Sequence, residues 1–341
     1  MELSFLSLAF WLCVVSLVLL LVLMVTAHSV ICRPRSIRLI GSHVLITGGS
    51  RGIGKALARQ AVLSGAHVSL VARDPVRLEQ TANELRSLLA LSSTVKITWF
   101  AMDLTAATQK QLDDLIYSAT DRIGTPVNIL INNCGGSVTA RFDDISLDQF
   151  YDQIQLNYLS AVGMTRAVVA QMKRDSNIRV GGGRIVFVSS MAGQIGLYGY
   201  TAYSGSKFAL RGLAEALQME LTPYNIWTTV VYPPDTDTDG YKAEKDTMPD
   251  ETRIISGTAG LWTPETIASD ILKAACKGNS SCHFGIEGMM LAYLTAGMSH
   301  ATSVVDVVLQ VLSAGMFRLI ALVYLKQFGA IVRKQHKAKV E

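Results

Sequence analysis

Residues 43 to 65 join a short apolar segment to a glycine-rich turn and then to a helix-like stretch. In order they read HVLIT (43–47), GGSRGIG (48–54) and KALARQAVLSG (55–65). Further strand-like segments follow, with helical stretches between them: HVSLVA (67–72), KITWFAMDL (96–104), VNILINNCG (127–135) and RIVFVSS (184–190). Strands that alternate with helices predict an α/β fold in which a parallel sheet is covered by helices on both faces.

The glycine-rich turn follows the pattern T-G-x-x-x-G-x-G, formed by Thr47, Gly48, Gly52 and Gly54. Glycines at a strand-to-helix turn allow the main chain to approach a pyrophosphate, which then lies at the positive N-terminus of the helix. The pattern and its placement predict a dinucleotide site in a single, Rossmann-type domain with a doubly wound parallel sheet. We expect the intervening residues Ser50, Arg51 and Ile53 to contact the cofactor as well.

The charges near this turn bear on which dinucleotide is bound. An NAD site offers a carboxylate at the end of the second strand to the ribose 2′-hydroxyl. Here Ala72 holds that position, Arg73 follows it, and Arg51 lies inside the turn. Two guanidinium groups suit a 2′-phosphate, so we predict NADPH. The alternative is that both arginines are solvated surface residues, with Asp74 available to NADH.

The segment YGYTAYSGSK (198–207) contains three tyrosines and ends in a lysine. Only Tyr203 precedes Lys207 by four residues, which places the two side chains on one helical face. A neighbouring cation favours the phenolate, so we expect the pKa of Tyr203 to fall below its ordinary value of about 10. Tyr198 and Tyr200 lack this register and are assigned to the substrate channel or the core. The pair alone is weak evidence, because Y-x-x-x-K recurs by chance.

Taken together, these motifs resemble the short-chain dehydrogenases/reductases. The glycine turn, NNCG (132–135), Asn157, the Ser190/Tyr203/Lys207 set and PPDTDT (233–238) occur in the family's order, over residues 41 to 285. The interval of 13 residues from Ser190 to Tyr203 is the family's usual one and favours Ser190 over Ser189. The chain departs from the family at Cys134, usually alanine, and at Pro234, usually glycine.

The resemblance implies a role for each matched residue. Tyr203 acts as general acid, Lys207 tunes it and bonds the nicotinamide ribose, Ser190 orients the carbonyl, and Asn157 holds a water of the proton relay. Further cofactor contacts are implied for Asp103, Leu104, Asn133, Gly135, Pro233, Thr236 and Thr238.

A closer likeness within the family is carried by residues 183–221, by YPPDTDTDGY (232–241) and by MFRLIALVYL (316–325). These segments resemble members at the endoplasmic reticulum that reduce a long-chain keto-lipid with an ammonium beside its ketone. We therefore hypothesise that Asp235 or Asp237 binds that ammonium, although both also suit turn or helix-cap roles. A steroid or retinoid carbonyl reductase of the family and a catalytically inactive NADPH-binding scaffold are the competing functions.

The N-terminal segment FLSLAFWLCVVSLVLLLVLMV (5–25) is apolar over 21 residues. As a helix it spans roughly 31 Å, enough to cross a hydrocarbon core. A cleaved signal peptide is the alternative, but the run is long and carries Glu2 before it. Arg33, Arg35 and Arg38 follow the run, which predicts that the rest of the chain faces the cytosol.

The C-terminal region is also apolar, but polar residues interrupt it. One narrow helical stripe holds the polar residues Ser303, Asp306, Gln310 and Ser313, and Arg318 lies off it. This pattern favours a helix that lies in the membrane interface or packs on protein along the stripe. A second membrane crossing remains an alternative. Lys337 and Lys339 resemble a dilysine retrieval signal, although a basic tail near anionic lipid is an equal alternative. We expect an anchor over 1–32, a catalytic domain over 41–285 and a membrane-associated region over 286–341, at the endoplasmic reticulum membrane.

Composition excludes several other functions. The net charge of +4 in 341 residues, without basic runs interleaved with aromatics, argues against nucleic acid as a partner. Five cysteines without C-x-x-C pairs or histidine clusters argue against disulfides and a metal site. The partners expected are a long-chain keto-lipid and membrane lipid. The apolar spacing of FALRGLAEALQMEL (208–221) suits a homo-oligomer face or the core equally well.

Overall fold

A computed structural model describes residues 2–31, 34–175, 178, 181–257 and 260–340, with the backbone alone at 2–9, 30 and 338–340. Seven parallel strands form one sheet: β1 His43–Thr47, β2 His67–Ala72, β3 Ile97–Ala101, β4 Val127–Asn132, β5 Gly183–Val188, β6 Ile226–Val231 and β7 Ser281–Cys282. Their spatial order is β3-β2-β1-β4-β5-β6-β7. The order reverses between β1 and β4, and a crevice opens there at the carboxyl ends of the strands. The predicted doubly wound α/β fold is confirmed.

The helices cover both faces of this sheet. They are α2 Gly52–Leu63, α3 Pro75–Ser87, α4 Gln109–Ile123, α5 Leu147–Ile154, α6 Ser160–Arg174, α7 Thr201–Leu221, α8 Asp239–Thr247, α9 Asp250–Ser256 and α10 Pro264–Lys277. Because successive strand residues point to opposite faces, Val44 and Ile46 pack with α2, α3 and α10, whereas Leu45 packs with α4, α6 and α7. The two apolar clusters together hold the strands and their ends in fixed positions.

A buried arginine at the start of β5 holds the segment that precedes β1. Arg184, at the start of β5, is 1% exposed. Its guanidinium donates hydrogen bonds to the carbonyl oxygens of Ala275 (2.8 Å), Gly183 (2.9 Å) and Arg35. It thereby satisfies a carbonyl in the last turn of α10 and holds the chain that leads from the N-terminal helix into β1. Burial lowers the pKa of Arg184 to about 10.

Two further helices are long and apolar enough to cross a membrane by length and composition. They are α1 Glu2–Val30 and α12 Val304–Val340, which contact each other. Of the most apolar stretch in each, 6% and 0% of the residues are buried. This exposure distinguishes them from core helices and indicates membrane association. Cys32 and Arg33 lie outside the described residues, as does the side chain of Lys339.

The C-terminal region folds back onto the catalytic part of the chain. It consists of α11 Gly285–Leu294 and the single helix α12, so the polar residues do not interrupt the helix. Instead, part of the polar stripe faces protein: Asp306 accepts a hydrogen bond from the Tyr293 hydroxyl (2.7 Å). Arg211 of α7 donates to the carbonyl oxygen of Ala296 (2.9 Å) and to Ser299 Oγ (3.1 Å). Of the alternatives considered for this region, packing on protein along the stripe fits the structure.

Candidate active site

The glycine turn brings main chain to the crevice between β1 and β4. Gly48 has a φ of +65°, a conformation that favours glycine. A Cβ at Gly54 would overlap the carbonyl oxygen of Gly48, so only glycine allows the turn to close this tightly. No side chain caps the N-terminus of α2. The main-chain N–H groups at this helix N-terminus fit the pyrophosphate of a dinucleotide.

Thr47 and Asn133 hold the ends of β1 and β4 together beneath this turn. Thr47 is 1% exposed, and its hydroxyl oxygen accepts hydrogen bonds from the main-chain N–H groups of Asn133 and Cys134, both at 3.0 Å. The Asn133 amide donates to the carbonyl oxygen of Thr47 (3.1 Å). The Thr47 side chain therefore shapes the cofactor crevice from inside the protein.

The charged groups near the end of β2 bear on the choice of dinucleotide. Asp74 caps α3, because its carboxylate accepts the main-chain N–H of Arg77 (3.1 Å). Asp103 accepts hydrogen bonds from the N–H (3.0 Å) and hydroxyl (2.7 Å) of Thr105, and these bonds lower the pKa of Asp103. Arg73 is close enough to Asp103 to lower that pKa further. Asp74 is thus occupied as a cap, and the arginines remain available.

Cys134 marks the point where the charged groups of the crevice converge. Burial raises the pKa of this thiol, and the charges of Lys207, Arg73, Asp103 and Arg51 all act on it. Its side chain packs against the apolar cluster that contains Leu45, Leu130 and Phe187.

Asn157 lies in a five-residue π-helical turn, Gln155–Leu159, between α5 and α6. Its amide donates hydrogen bonds to the carbonyl oxygen of Gly136 (2.9 Å) and to Ser206 Oγ (3.0 Å), and its Oδ1 accepts the N–H of Gly136 (3.0 Å). Ser206 in turn donates to the carbonyl oxygen of Tyr203 (2.7 Å). Asn157 is 1% exposed and links the loop after β4 to the first turn of α7.

Ser190, Tyr203 and Lys207 meet beyond the carboxyl end of β5. The side chains of Ser190 and Tyr203 are hydrogen-bonded to each other. Lys207, one turn along α7 from Tyr203, places its Nζ 5.6 Å from the centre of the tyrosine ring and donates to the carbonyl oxygen of Val188 (2.8 Å). The Ser189 hydroxyl instead donates to the carbonyl oxygen of Lys207 (3.0 Å). The geometry favours Ser190 over Ser189, as the residue interval did.

The electrostatics of the tyrosine differ from our expectation. Burial, and then the carboxylate of Glu244, raise the pKa of Tyr203, while the hydrogen bond with Ser190 opposes them. The pKa of Tyr203 is thus raised where we expected it to be lowered, because burial is its largest influence, and Lys207 directs its hydrogen bond to the carbonyl oxygen of Val188. Burial also lowers the pKa of Lys207, to about 8.

A cavity of about 910 Å³ joins these residues to the C-terminal region. Eleven of the predicted site residues line it: Arg51, Ile53, Asn133, Gly135, Ser190, Tyr203, Lys207, Pro233, Asp235, Thr236 and Thr238. Others lie beside or beneath it and do not form its wall: Thr47, Gly48, Ser50, Gly52, Gly54, Arg73, Asp103, Leu104, Asn157 and Asp237. Leu104 is 6% exposed, so its side chain belongs to the core.

The loop after β6 separates the two aspartates considered for the substrate. Asp235 lines the cavity and accepts a hydrogen bond from the Tyr241 hydroxyl (2.7 Å). Asp237 is exposed and forms an ion pair with Lys242 (3.1 Å). The structure therefore favours Asp235 over Asp237 as a contact of the substrate, because Asp237 does not line the cavity and is paired with Lys242. Thr238 caps α8 by accepting the N–H of Tyr241 (3.1 Å).

The cavity wall includes Tyr200, which we assigned to the substrate channel or the core, and residues that sequence reasoning did not identify. Tyr200 and Glu244 are neighbours in it, and the Tyr200 hydroxyl donates to Glu244 Oε1 (2.5 Å). Residues of α12 also form the wall: Arg318, Ala321, Tyr324, Leu325 and Phe328. Glu244 lies in a polar surface-like stretch that carries no motif. Arg318, an isolated arginine within an apolar helix, was the one sequence feature that indicated that α12 faces a cavity.

The fold, the glycine turn and the serine–tyrosine–lysine arrangement define a dinucleotide-dependent oxidoreductase. A family model described as short chain dehydrogenase matches residues 42–249, and the chain belongs to this family. It is 45% identical to a 3-dehydrosphinganine reductase of Danio rerio, over 94% of each chain. It is 44% identical to a 3-ketodihydrosphingosine reductase of Bos taurus, over 94% of this chain and 95% of that protein. For a 3-ketodihydrosphingosine reductase of Dictyostelium discoideum the identity is 33%, over 92% and 95%.

Proposed function

We propose that this protein reduces 3-ketodihydrosphingosine to dihydrosphingosine with NADPH, in the synthesis of sphingolipids. The names of relatives that match more than nine-tenths of the chain support this substrate. The observation that carries the proposal is the single cavity that extends from Ser190 and Tyr203 to the apolar helix α12. A ketone on a long alkyl chain needs a site of this shape, with hydroxyl groups at one end and apolar walls beyond.

The apolar part of the cavity accommodates the alkyl chain. Met290, Leu291 and Leu294 of α11 face Tyr324, Leu325 and Phe328 of α12 across it. Because much of α12 is apolar and exposed, this end of the cavity lies beside the surface that would contact lipid. An alkyl chain that moves from the membrane into this part of the cavity leaves lipid and contacts apolar side chains.

NADPH bound in the crevice between β1 and β4 supplies the hydride. The glycine turn and the free N-terminus of α2 would hold its pyrophosphate, and Arg51 and Arg73 its 2′-phosphate. Asn133, Gly135 and the segment Pro233–Thr238 are the proposed contacts of the nicotinamide half. Asp103 and Leu104, the latter through its main chain, are proposed for the adenine side.

The proton comes from Tyr203. Its hydroxyl and that of Ser190 bond the same carbonyl oxygen, and the raised pKa keeps Tyr203 protonated, as a general acid must be. Ser190 stabilises the charge that develops on that oxygen. The Lys207 ammonium supports the phenol after proton loss and bonds the nicotinamide ribose. We propose that Asn157 holds the water that returns the proton to Tyr203.

We also propose that the protein resides in the endoplasmic reticulum membrane with its catalytic domain, residues 41–285, in the cytosol. Residues 1–32 would form the anchor and residues 286–341 a membrane-associated region that completes the cavity. Arg35 and Arg38 after the anchor, and the basic C-terminal end, support this orientation. A glycosylation acceptor introduced after α1 should stay unmodified in microsomes if the orientation is correct.

The deciding experiment is an assay of the purified full-length protein in detergent micelles. We expect reduction of 3-ketodihydrosphingosine with NADPH, much less with NADH, and a loss of about 100-fold or more in kcat for Tyr203→Phe. A steroid ketone and retinal serve as competing substrates. Faster reduction of either one would show that the lipid assignment is wrong, and activity retained by Tyr203→Phe would refute the proton-transfer role.

A further inference from the structure

A carboxylate that belongs to no predicted motif faces the reaction centre. Glu244 lies on α8 and lines the same cavity as Ser190 and Tyr203. Its Oε1 accepts a hydrogen bond of 2.5 Å from the Tyr200 hydroxyl, and the Ser137 hydroxyl also bonds it. Tyr200 packs against Tyr203, with 5.5 Å between ring centres. Two hydroxyl groups thus orient the Glu244 carboxylate next to the tyrosine that we propose as general acid.

Among the residues that the structure describes, no cation forms an ion pair with this carboxylate. The ion pairs of α8 and α9 join Lys242 to Asp237, Arg253 to Asp250 and Arg141 to Glu251. Asp235 is a second half-buried carboxylate on the cavity wall, bonded to the Tyr241 hydroxyl. Hydrogen bonds from neutral hydroxyls orient both groups. The charge of Lys245 acts on Asp235, whereas Glu244 forms no ion pair among the described residues.

Such an arrangement is costly unless a cation arrives. Burial raises the pKa of Glu244 and that of Asp235. Asp235 raises the pKa of Glu244 further, and both carboxylates raise the pKa of Tyr241. A buried or half-buried anion is stabilised by a partner of opposite charge within hydrogen-bond distance. The cavity therefore favours a ligand that carries a positive group close to Tyr203.

The position of the charge matches the proposed substrate. In 3-ketodihydrosphingosine the ammonium is attached to the carbon next to the ketone, so it must lie near any residue that binds the ketone oxygen. After burial, Glu244 is the largest influence that raises the pKa of Tyr203, so its carboxylate is close to the phenol. Lys207 directs its hydrogen bond to the carbonyl oxygen of Val188 and forms no ion pair with Glu244.

Resting on the proposed function, we propose that Glu244 binds the ammonium group of the keto-lipid, with Tyr200 positioning its carboxylate and Asp235 adding negative potential. The assignment makes Glu244 a specificity-determining residue that separates amino ketones from other long-chain ketones. It also gives the cavity a charged end at the reaction centre and an apolar end at α12, which fixes the direction in which the lipid enters.

The test compares two ketones with full-length protein and saturating NADPH: 3-ketodihydrosphingosine and the analogue of equal chain length that lacks the amine. In Glu244→Gln the side chain keeps its shape and still accepts the Tyr200 hydrogen bond. We expect kcat/KM for the amino ketone to fall about 10- to 100-fold, mainly through KM, because a charged hydrogen bond is lost. The value for the analogue should change less than about threefold.

Two further variants make the result specific. Glu244→Asp retains the charge, so its KM for the amino ketone should lie between those of the wild type and Glu244→Gln. Asp246→Asn removes an exposed carboxylate from the same helix and should leave kcat/KM for both ketones unchanged. An unchanged KM for the amino ketone in Glu244→Gln, or an equal loss for both ketones, overturns the assignment. Failure of the wild type to reduce the amino ketone overturns the proposed function itself and the assignment with it.

Discussion

The ammonium nitrogen of Lys207 lies 5.6 Å from the centre of the Tyr203 ring and donates its hydrogen bond to the carbonyl oxygen of Val188. The lysine is thus attached to the end of β5, and α7 is fixed to the strand that precedes Ser190. This relationship holds the proposed acid and the proposed orienting serine in register. Tyr203 is protonated at neutral pH, which suits an acid in ketone reduction better than the phenolate that the spacing suggested.

Ser190 and Ser189 offer a matched pair of substitutions. Ser190→Ala should lower kcat by about 10²- to 10³-fold, because the ketone oxygen loses one of its two donors. Ser189→Ala should lose about 1 kcal/mol of stability, from its bond to Lys207, and keep kcat within about threefold. Steady-state kinetics and thermal unfolding measure both effects. Equal kinetic losses in the two variants would contradict the assignment of Ser190.

Burial of Lys207 predicts a pH dependence of stability. Its pKa falls from 10.5 in the unfolded chain to about 8 in the folded protein. Between these values the unfolded state binds the extra proton, so the free energy of unfolding should rise as the pH increases from about 8 to 10.5. The Lys207→Met variant should lack this rise. The measurement is the difference in Tm between wild type and variant across the pH range, and parallel curves would show that Lys207 is not perturbed.

The two arginines at the crevice should determine the choice of cofactor. Arg51→Ala and Arg73→Ala are each expected to raise the KM for NADPH about 10- to 100-fold, because a charged contact with the 2′-phosphate is lost. The KM for NADH should change little. Arg59→Ala, on the exposed side of α2, is the matched control and should leave both values unaltered. A similar rise in the KM for NADH would indicate that the substitution weakens dinucleotide binding in general.

The wall that α12 contributes should set the tolerance for chain length. Ala321→Phe fills part of the cavity and should raise the KM for the long-chain ketone about tenfold while a short-chain amino ketone is still reduced normally. Ala314→Phe, on an exposed position of the same helix, is the control. The assay uses a series of amino ketones of increasing length. A uniform effect along the series would show that the chain does not pass Ala321.

The buried guanidinium of Arg184 should matter for stability and not for chemistry. Replacement by methionine leaves carbonyl oxygens of Ala275 and Arg35 without their donor, at a cost of about 2–4 kcal/mol. Thermal unfolding of the full-length protein measures this loss. The kcat of the remaining folded protein should be unchanged, since Arg184 lies at the amino end of β5 and the reaction centre at its carboxyl end.

Local pattern was sufficient for the sheet and the glycine turn, because strand alternation and the tight turn at Gly48 and Gly54 are short-range properties of the chain. The set of Asn157, Ser190, Tyr203 and Lys207, and the interval that favours Ser190 over Ser189, came from the resemblance to the family. The apolar helices α1 and α12 were also evident from composition, since length and hydropathy are local quantities.

Tertiary structure alone decided the remaining features. Burial reversed the expected pKa shift of Tyr203, because the desolvation of a phenol depends on every element packed around it. The approach of Glu244 to Tyr200 and the closure of the cavity by α12 join residues that are tens of positions apart. No spacing rule encodes such contacts, which arise only when the packing of helices on the sheet brings distant side chains to one wall.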